Sequence, residues 1–181
     1  MKPREALTSS SDAPWDAVLD LPFGRLGVRA GEHEVFHTEY LVGEAARAPL
    51  LPGSTPLLRE LRAQLEAYCR DARFRPDLPL ATRGSAFQRR VWAALCGIPP
   101  GRTLGYAELA RELGSVARAI GQACGANPFA PLVPCHRVIG AAGLGGFAHS
   151  TDEAGELLGI KRWLLRHEGA LPAPAPELFD A

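Results

Sequence analysis

The sequence predicts a two-part α/β protein, in which a small N-terminal unit of strands and a helix precedes a mostly helical C-terminal domain with a helix-turn-helix. Three observations support this fold class. β-branched and aromatic residues alternate with polar ones between Ala17 and Val42, as in half-buried strands. A stretch with Pro76 and Pro79 follows and predicts a linker over residues 71–82. Beyond it, apolar residues recur at helical spacing between glycine breaks.

The N-terminal unit is assigned to residues 15–82 and is expected to hold two or three strands and one helix. Thr55-Pro56 has the pattern of an N-cap residue followed by proline at the first helical position. Leucines then follow at helical spacing, so a helix is predicted from there to about Arg70. We expect residues 1–14 and 171–181 to form flexible ends of the chain.

The C-terminal domain is assigned to residues 83–170. Ser85 is a predicted N-cap, and the helix that follows it is expected to end at Gly97. The last helix of the domain is expected to be capped by Ser150 together with Glu153, in the pattern of a capping box.

Two short helices are predicted between these longer ones, over residues 106–113 and 116–124. Gly114 ends the first helix, and Ser115 is a candidate cap for the second. Two short helices joined by a turn that contains glycine are typical of a helix-turn-helix. Many helical hairpins share this pattern without binding DNA, so the motif supports a function only together with other evidence.

Composition indicates a soluble globular protein. Of the 181 residues, 46% are apolar and 22% are charged, and no apolar run is long enough to cross a membrane. The N-terminus lacks the apolar core of a secretory signal, so we expect a cytoplasmic protein. The four cysteines have no paired spacing, which argues against a disulfide framework. The net charge is zero, yet residues 83–168 carry ten Lys and Arg against six Asp and Glu, a mild indication of nucleic-acid contact.

Cys135 is the candidate nucleophile because of its neighbours. Pro134 restrains the backbone before it, and His136 follows directly. A cysteine attacks as the thiolate, and an imidazole that takes the proton, directly or through one water, provides that thiolate. A third group must then orient the imidazole, and Glu168 is chemically suited to that task. On these residues alone, a chance Cys-His adjacency without any chemistry is an equally good interpretation.

The surrounding motifs resemble the O6-alkylguanine-DNA alkyltransferase family. Asn127-Pro128 precedes Pro134–Val138, which reads Pro-Cys-His-Arg-Val as in the active-site pattern of that family. The match extends over further blocks in the family's order: Phe87–Trp92, Gly105–Ala110, Ala117–Gly121 and Lys161–Gly169. The resemblance therefore covers most of residues 85–169.

This resemblance implies repair of DNA by direct transfer, in which the alkyl group of O6-alkylguanine in duplex DNA passes irreversibly to Cys135, once per molecule. It implies that His136 acts through a water as the base, that Glu168 holds His136, and that Asn127 braces the active-site loop. O4-alkylthymine is implied as a lesser substrate. The family chemistry, that of a single-turnover methyltransferase, uses no metal and no organic cofactor.

The resemblance also implies how DNA is held. The second helix of the helix-turn-helix enters the minor groove, and the target nucleotide rotates out of the stack because O6 is out of reach inside the duplex. Arg118 matches the arginine that fills the vacated space, and Tyr106 matches the tyrosine that helps to extrude the nucleotide. The implied substrate pocket includes Val138, Phe147 and Ala148. The implied partner is alkylated double-stranded DNA, bound by a monomer with no membrane involved.

The sequence departs from the family pattern at two places. The turn of Gly114–Arg118 is shorter than is usual in the family, which affects how the arginine docks. The substrate loop, Gly146–Ser150, stands where family members usually have Gly-Tyr-x-Gly-Gly. Phe147 keeps an aromatic wall without the hydroxyl, and His149 and Ser150 replace glycines and so reduce backbone freedom.

Other functions have their own sequence signals. His33–His37 matches the H-E-x-x-H pattern of zinc proteases, which requires a helix, whereas its Val, Phe and Thr residues favour a strand. A lesion-binding module or a transcription factor would use the helix-turn-helix but would not need Cys135. A cysteine hydrolase would use Cys135, His136 and Glu168, although an adjacent Cys and His are unusual in that class.

Overall fold

The N-terminal part is built on an antiparallel meander of three strands. The computed structural model describes residues 15–141, 143–152 and 154–172, and most of the two predicted flexible ends lie outside them. The strands are β1 (Ala17–Leu21), β2 (Gly24–Ala30) and β3 (Val35–Leu41), in the order β1-β2-β3. Helix α1 (Pro56–Arg70) contacts β1 and has its predicted cap, because Thr55 Oγ1 accepts the Leu58 N–H at 3.2 Å.

The H-E-x-x-H segment does not lie on a helix. His33 precedes β3 and His37 lies within it, where its Nε2 is 3.3 Å from Glu39 Oε2. The two histidines therefore lack the shared helical face that a zinc protease needs. Among the residues that the structure describes, no group of three His, Cys, Asp or Glu side chains is arranged to hold a metal ion.

The C-terminal part consists of four helices and one short parallel strand pair. Its elements are α2 (Ala86–Gly97), β4 (Leu104–Gly105), α3 (Tyr106–Glu112), α4 (Ala117–Gly125), β5 (Val138–Ile139) and α5 (Glu156–His167). Strand β4 pairs with β5 in parallel. Helix α2 begins with a complete capping box, in which Ser85 and Gln88 bond to each other's backbone N–H. The predicted mixed α/β fold is confirmed, whereas the domain boundary at residues 71–82 stays a prediction.

Helices α3 and α4 form the predicted helix-turn-helix, but the expected cap is wrong. Gly114 adopts a φ of 61° after the end of α3, as a C-terminal glycine does. Ser115 donates its backbone N–H to Ala110 O at 2.8 Å and so closes α3. Val116 is therefore the N-cap of α4, without a side-chain hydrogen bond. Away from the turn, Trp92 Nε1 of α2 donates to the carbonyl of Ala123 in α4 at 2.8 Å and holds the two helices together.

Helix α5 begins later than the sequence pattern indicates. Its N-cap is Gly155, and Ser150 instead pairs with Phe147 across a tight turn, with both N–H···O distances at 2.8 Å. Glu153, the other residue of the expected capping box, lies outside the described residues. No helix in the described part of the chain is long and apolar enough to span a bilayer.

Strand β3 joins the two parts of the molecule. Thr38 donates its backbone N–H to Pro128 O at 2.8 Å and its hydroxyl to Ala130 O at 2.6 Å. Val35 exchanges backbone hydrogen bonds with Pro79 and Ala81 of the linker. The buried apolar side chains of both parts belong to one cluster. The N-terminal sheet is thereby fixed against the segment that leads to Cys135.

Candidate active site

Cys135 lies at the start of a single 3-10 turn, Cys135–Arg137, directly after Pro134. The side chain is buried, with 4% of the residue exposed, and it lines a cavity of about 460 Å³. Its position at the wall of a cavity, at the beginning of a turn, is that of a residue presented to a ligand rather than one that fills a core.

The side-chain amide of Asn127 forms hydrogen bonds to the segment around Cys135 through both its oxygen and its nitrogen. Its Oδ1 accepts the N–H of Phe129 at 3.0 Å, so its Nδ2 must be the donor on the other side. Nδ2 donates to Val133 O at 2.7 Å and to Cys135 Sγ at 3.3 Å. A donor at this position stabilises the thiolate over the thiol and opposes the effect of burial.

His136 and Glu168, which are 32 residues apart in sequence, form a buried pair. His136 Nε2 is 2.9 Å from Glu168 Oε1. The carboxylate is ionised and can only accept, so Nε2 carries the proton and Nδ1 is left as the basic nitrogen of the neutral ring. Glu168 thus fixes both the orientation and the tautomer of His136.

Glu168 is held as a carboxylate by several donors at once. Arg137 donates from Nε to Oε2 at 2.9 Å and from Nη2 to Oε1 at 2.8 Å, and Tyr68 Oη donates to Oε1 at 2.8 Å. Burial raises the pKa of Glu168, but the hydrogen bonds from His136 and Arg137 outweigh it and bring the pKa to about 2. Arg137 also donates to Ile98 O at 2.6 Å and so anchors the pair to the end of α2.

The protonation states that follow are a neutral imidazole beside a protonated thiol. Burial lowers the pKa of His136, and although Glu168 raises it, the positive charges of Arg137 and Lys161 oppose that rise. Burial also raises the pKa of Cys135, while the Asn127 hydrogen bond and the charge of Lys161 lower it. A neutral His136 can accept the proton that Cys135 must lose.

Lys161 carries a fully buried ammonium group, to which the sequence motifs assign no role. Its Nζ donates to three backbone carbonyls, of Val138 at 2.7 Å, Leu144 at 2.6 Å and Gly146 at 3.2 Å. Burial lowers the pKa of Lys161 to about 8. The group ties the strand that follows Cys135 to the loop that forms the opposite wall of the cavity.

The cavity has one wall from the helix-turn-helix and one from the loop that includes Gly146–Ser150. Tyr106 and Arg118, which the resemblance assigns to base extrusion, line it together with Phe147 and Ala148 of the implied substrate pocket. The hydroxyl of Tyr106 donates to Gly146 O at 3.0 Å, and Arg118 is exposed near the start of α4. Val138 is different from the prediction, because its side chain is fully buried and does not line the cavity.

The loop wall ends in a strained turn. Ala148 and His149 both adopt positive φ, 47° and 63°, between the paired residues Phe147 and Ser150. Two consecutive residues in this region define a type I′ turn, which normally contains Asn or Gly. The His149 ring lies against α4, where a Cβ at Gly125 would come within 2.6 Å of it. The replacement of glycine by His149 therefore gives the cavity rim a side chain that contacts the helix-turn-helix.

Four residues of the site were missed by the sequence analysis: Tyr40, Tyr68, Cys124 and Lys161. For Lys161 a signal exists, since it is four residues after Leu157 and three before Leu164, on the apolar face of α5. Cys124 lines the same cavity as Cys135, and burial raises its pKa to about 12. Only the tertiary structure brings Tyr68 to Glu168, at 2.8 Å, and Tyr40 to Phe147 of the cavity wall, with ring centroids 5.5 Å apart.

Comparison with known proteins gives the same family from sequence and from structure. Residues 86–170 match the family model described as the DNA-binding domain of 6-O-methylguanine DNA methyltransferase. A methylated-DNA–protein-cysteine methyltransferase from Mycolicibacterium paratuberculosis is 48% identical over 110 residues, which cover 59% of this chain and 65% of that protein. The match thus spans less than two thirds of the length of that relative.

Two further relatives match over most of their length. A methylated-DNA–protein-cysteine methyltransferase from Methanosarcina acetivorans is 37% identical over 161 residues, which cover 85% of this chain and 97% of that protein. The crystal structure of Mycobacterium tuberculosis OGT in complex with DNA has a TM-score of 0.68 at 36% identity, over 87% of this chain and 94% of that one. This chain therefore belongs to the methylated-DNA–protein-cysteine methyltransferase family.

Proposed function

We propose that this chain repairs DNA by accepting, on Cys135 Sγ, the alkyl group of O6-alkylguanine. The observation that carries the proposal is the arrangement around that sulfur. Asn127 Nδ2 lies 3.3 Å from Sγ, and the adjacent His136 is a neutral base oriented by Glu168 at 2.9 Å. Cys135 itself lies at the wall of an open cavity whose volume suits a flipped nucleobase.

The proposed reaction is a single displacement at the alkyl carbon. The Sγ–C bond forms as the C–O6 bond breaks, and the electron pair of that bond leaves with the guanine. The thiol proton passes through one water to His136 Nδ1, and the Glu168 carboxylate stabilises the imidazolium that forms. The guanine finally takes up a proton, so the base is restored and Cys135 is left as a thioether. Because a thioether is chemically stable, each molecule acts once.

The proposed partner is alkylated double-stranded DNA, gripped by the helix-turn-helix. In this proposal α4 enters the minor groove, Arg118 fills the space of the flipped base, and Tyr106 contacts that base. Support comes from the position of both side chains on the cavity that Cys135 lines. We propose a cytoplasmic monomer, with O4-alkylthymine as a lesser substrate and neither metal nor cofactor in the reaction.

The test is mass spectrometry of the intact protein after incubation with a duplex that contains one O6-methylguanine. We expect one added methyl group per chain, which peptide mapping assigns to Cys135. The Cys135→Ser variant and an unmodified duplex are the controls, and neither should yield methylated protein. Tight binding of the damaged duplex without any mass change would refute transfer and favour a lesion-binding module.

The role of Arg118 predicts a difference between two substrates. Arg118→Ala should slow transfer from the duplex by about tenfold or more, because the vacated space in the stack is left unfilled. Transfer from the free base O6-alkylguanine should keep its rate, since no base has to be extruded. Equal slowing with both substrates, measured in single-turnover experiments, would contradict the assignment.

A further inference from the structure

Tyr68 continues the apolar face of α1 but ends in a hydroxyl group. Leu58, Leu61 and Leu65 precede it at helical spacing, and all four side chains are buried. A phenylalanine would fill the same space in the core, so packing alone does not account for the tyrosine. Its Oη donates to Glu168 Oε1 at 2.8 Å, across a sequence separation of 100 residues. The hydroxyl therefore links the N-terminal part to the active site.

The position of Tyr68 is fixed by the residue that precedes Glu168. His167 donates from Nε2 to the backbone carbonyl of Tyr68 at 2.7 Å, since a carbonyl oxygen can only accept. The two rings also meet edge to face, with centroids 5.2 Å apart. The same end of α5 thus holds both the carboxylate and the tyrosine that reaches it.

Glu168 Oε1 accepts three hydrogen bonds, of which Tyr68 donates one. The other two come from His136 Nε2 at 2.9 Å and from Arg137 Nη2 at 2.8 Å. Each donor stabilises the negative charge of the carboxylate, which lowers the affinity of the carboxylate for a further proton. A carboxylate with a lower proton affinity also stabilises an imidazolium less. The Tyr68 hydroxyl therefore weakens the tendency of Glu168 to draw a proton onto His136.

Tyr68 keeps its own proton and acts as a permanent donor. Burial raises the pKa of its hydroxyl above the ordinary value of 10.0, and the charge of Glu168 and the hydrogen bond to it add to that rise. A group that stays protonated near neutral pH does not compete with His136 for the thiol proton. Its effect on the base is therefore the same throughout the reaction.

We propose that Tyr68 is a positioning residue for the transfer reaction, in which its hydrogen bond to Glu168 keeps His136 neutral and able to accept a proton. Without this donor, the carboxylate would interact more strongly with the imidazole and favour its charged form. The N-terminal part then contributes to the chemistry as well as to the fold. This inference rests on the proposed function, because it concerns the base of that reaction.

The experiment compares Tyr68→Phe with Thr38→Val. Each variant loses one buried hydroxyl that the N-terminal part donates to the C-terminal part, but that of Thr38 bonds the Ala130 carbonyl, at 2.6 Å. Tyr68→Phe keeps the ring that fills the core. It should move the acid limb of the pH profile of single-turnover methyl transfer, in which the rate rises with pH, to higher pH by about one unit. Above that limb it should transfer at least as fast as the unmodified chain, because its imidazole is the stronger base. Thr38→Val should lower the melting temperature and keep the profile.

The second readout is the titration of His136 itself, followed by NMR of the ring carbons in the chain without DNA. The chain has five histidines, and His136→Asn identifies the signal by its loss. The His136 signal of Tyr68→Phe should titrate at a higher pH than that of the unmodified chain or of Thr38→Val. Besides Cys135, the titratable and charged groups around His136 and Tyr68 are unchanged in both variants, and they are Tyr40, Cys69, Arg137, Lys161, His167 and Glu168.

The outcomes separate this inference from the proposed function. If Tyr68→Phe keeps the acid limb and the His136 titration of the unmodified chain, its hydroxyl does not act on the base and the inference is wrong. The inference is equally wrong if Tyr68→Phe is slowed to the same extent at every pH, as a loss of stability alone would do. If the unmodified chain transfers no methyl group, the proposed function fails, while the His136 titration still decides whether Tyr68 acts on the imidazole.

Discussion

At the scale of single residues, the buried charges of the active site are balanced so that His136 stays neutral. The Glu168 carboxylate accepts two hydrogen bonds from Arg137, so its charge is already compensated when it meets the imidazole. A carboxylate without that arginine would draw a proton onto His136 and remove the base. Burial meanwhile keeps the Cys135 thiol protonated. The nucleophile is therefore formed only when a proton acceptor and an alkyl carbon are both in place.

The ammonium group of Lys161 carries the next prediction, because it is fully buried and donates to three backbone carbonyls. Lys161→Met keeps the apolar stem but leaves the carbonyls of Val138, Leu144 and Gly146 without this donor. Each unsatisfied buried group costs about 1–3 kcal/mol, so the loop should loosen rather than stay buried. We expect a lower free energy of unfolding and methyl transfer slowed by about tenfold, as measured by urea titration and single-turnover kinetics.

Arg166→Met is the matched control for that variant. Arg166 lies on the exposed side of the same helix, α5, and its Nε bonds the carbonyl of Pro172 at 3.2 Å. The surface variant should stay within about 0.5 kcal/mol of the unmodified chain and transfer at the same rate. An unchanged transfer rate in Lys161→Met would show that the loop does not depend on the ammonium group.

At the scale of elements, the type I′ turn at the cavity rim stores strain in two residues that have a Cβ. Ala148 adopts a φ of 47°, which is unfavourable for alanine because of its Cβ but not for glycine. Ala148→Gly should therefore raise the free energy of unfolding by about 1 kcal/mol, even though glycine normally destabilises folded chains. Thermal or urea unfolding measures the change.

An alanine-to-glycine substitution within a helix should have the opposite effect on the free energy of unfolding. Ala63 is exposed in the middle of α1, and Ala63→Gly should lower the free energy of unfolding by about 1 kcal/mol. A loss of stability in both variants would mean that the turn is not strained at Ala148.

The elements that the sequence predicts correctly are those whose signals are local. Thr55 and Ser85 cap their helices as expected, because a cap needs only the residues of the first turn. Ser115 and Ser150 fail as caps because each is engaged elsewhere, Ser115 in the end of α3 and Ser150 across the turn to Phe147. A sequence pattern identifies a residue that can cap, but the competing partner is visible only in the structure.

The residues of the active site also fall into two groups, those that the sequence identifies and those that only the tertiary structure brings together. The adjacency of Cys135 and His136 makes them candidates, and Glu168 is suitable by its chemistry. Only the family resemblance favours these roles over chance, and it adds Asn127. Sequence alone does not bring Tyr68 to Glu168, because the two are a hundred residues apart and their contact depends on how the two parts dock. Val138 is the opposite case. It belongs to the motif and was expected in the substrate pocket, but its side chain is buried in the core.

At the scale of the whole molecule, the hydrogen-bonded group of Tyr68, His136, Arg137 and Glu168 joins segments from both parts. We call it the Glu168 cluster. Tyr68 comes from α1 of the N-terminal part, and Arg137 reaches the carbonyl of Ile98 at the end of α2. Gly101 follows at a φ of 79°, and a Cβ there would lie 2.9 Å from the Glu168 carbonyl. The loop after α2 can approach the end of α5 this closely because residue 101 has no side chain. The site is therefore also a junction on which global stability depends.

The junction predicts how stability changes with pH. The pKa of Glu168 falls from an ordinary 4.5 to about 2 on folding, so its ionised form stabilises the native state above pH 4.5. That contribution is lost as the pH falls through the folded pKa.

Glu168→Gln removes the charge and leaves Arg137 buried without its partner, which should cost about 3–5 kcal/mol near neutral pH. The difference in unfolding free energy between the two chains should shrink steadily between about pH 5 and pH 2. Urea titrations across that range measure it. Half-exposed Glu66, which pairs with Arg62 at 2.8 Å, is the control, and Glu66→Gln should change stability by about 0.5 kcal/mol or less. If the Glu168→Gln difference stayed constant down to acid pH, the carboxylate would not be the charged centre of this junction, and the neutral state inferred for His136 would lose its explanation.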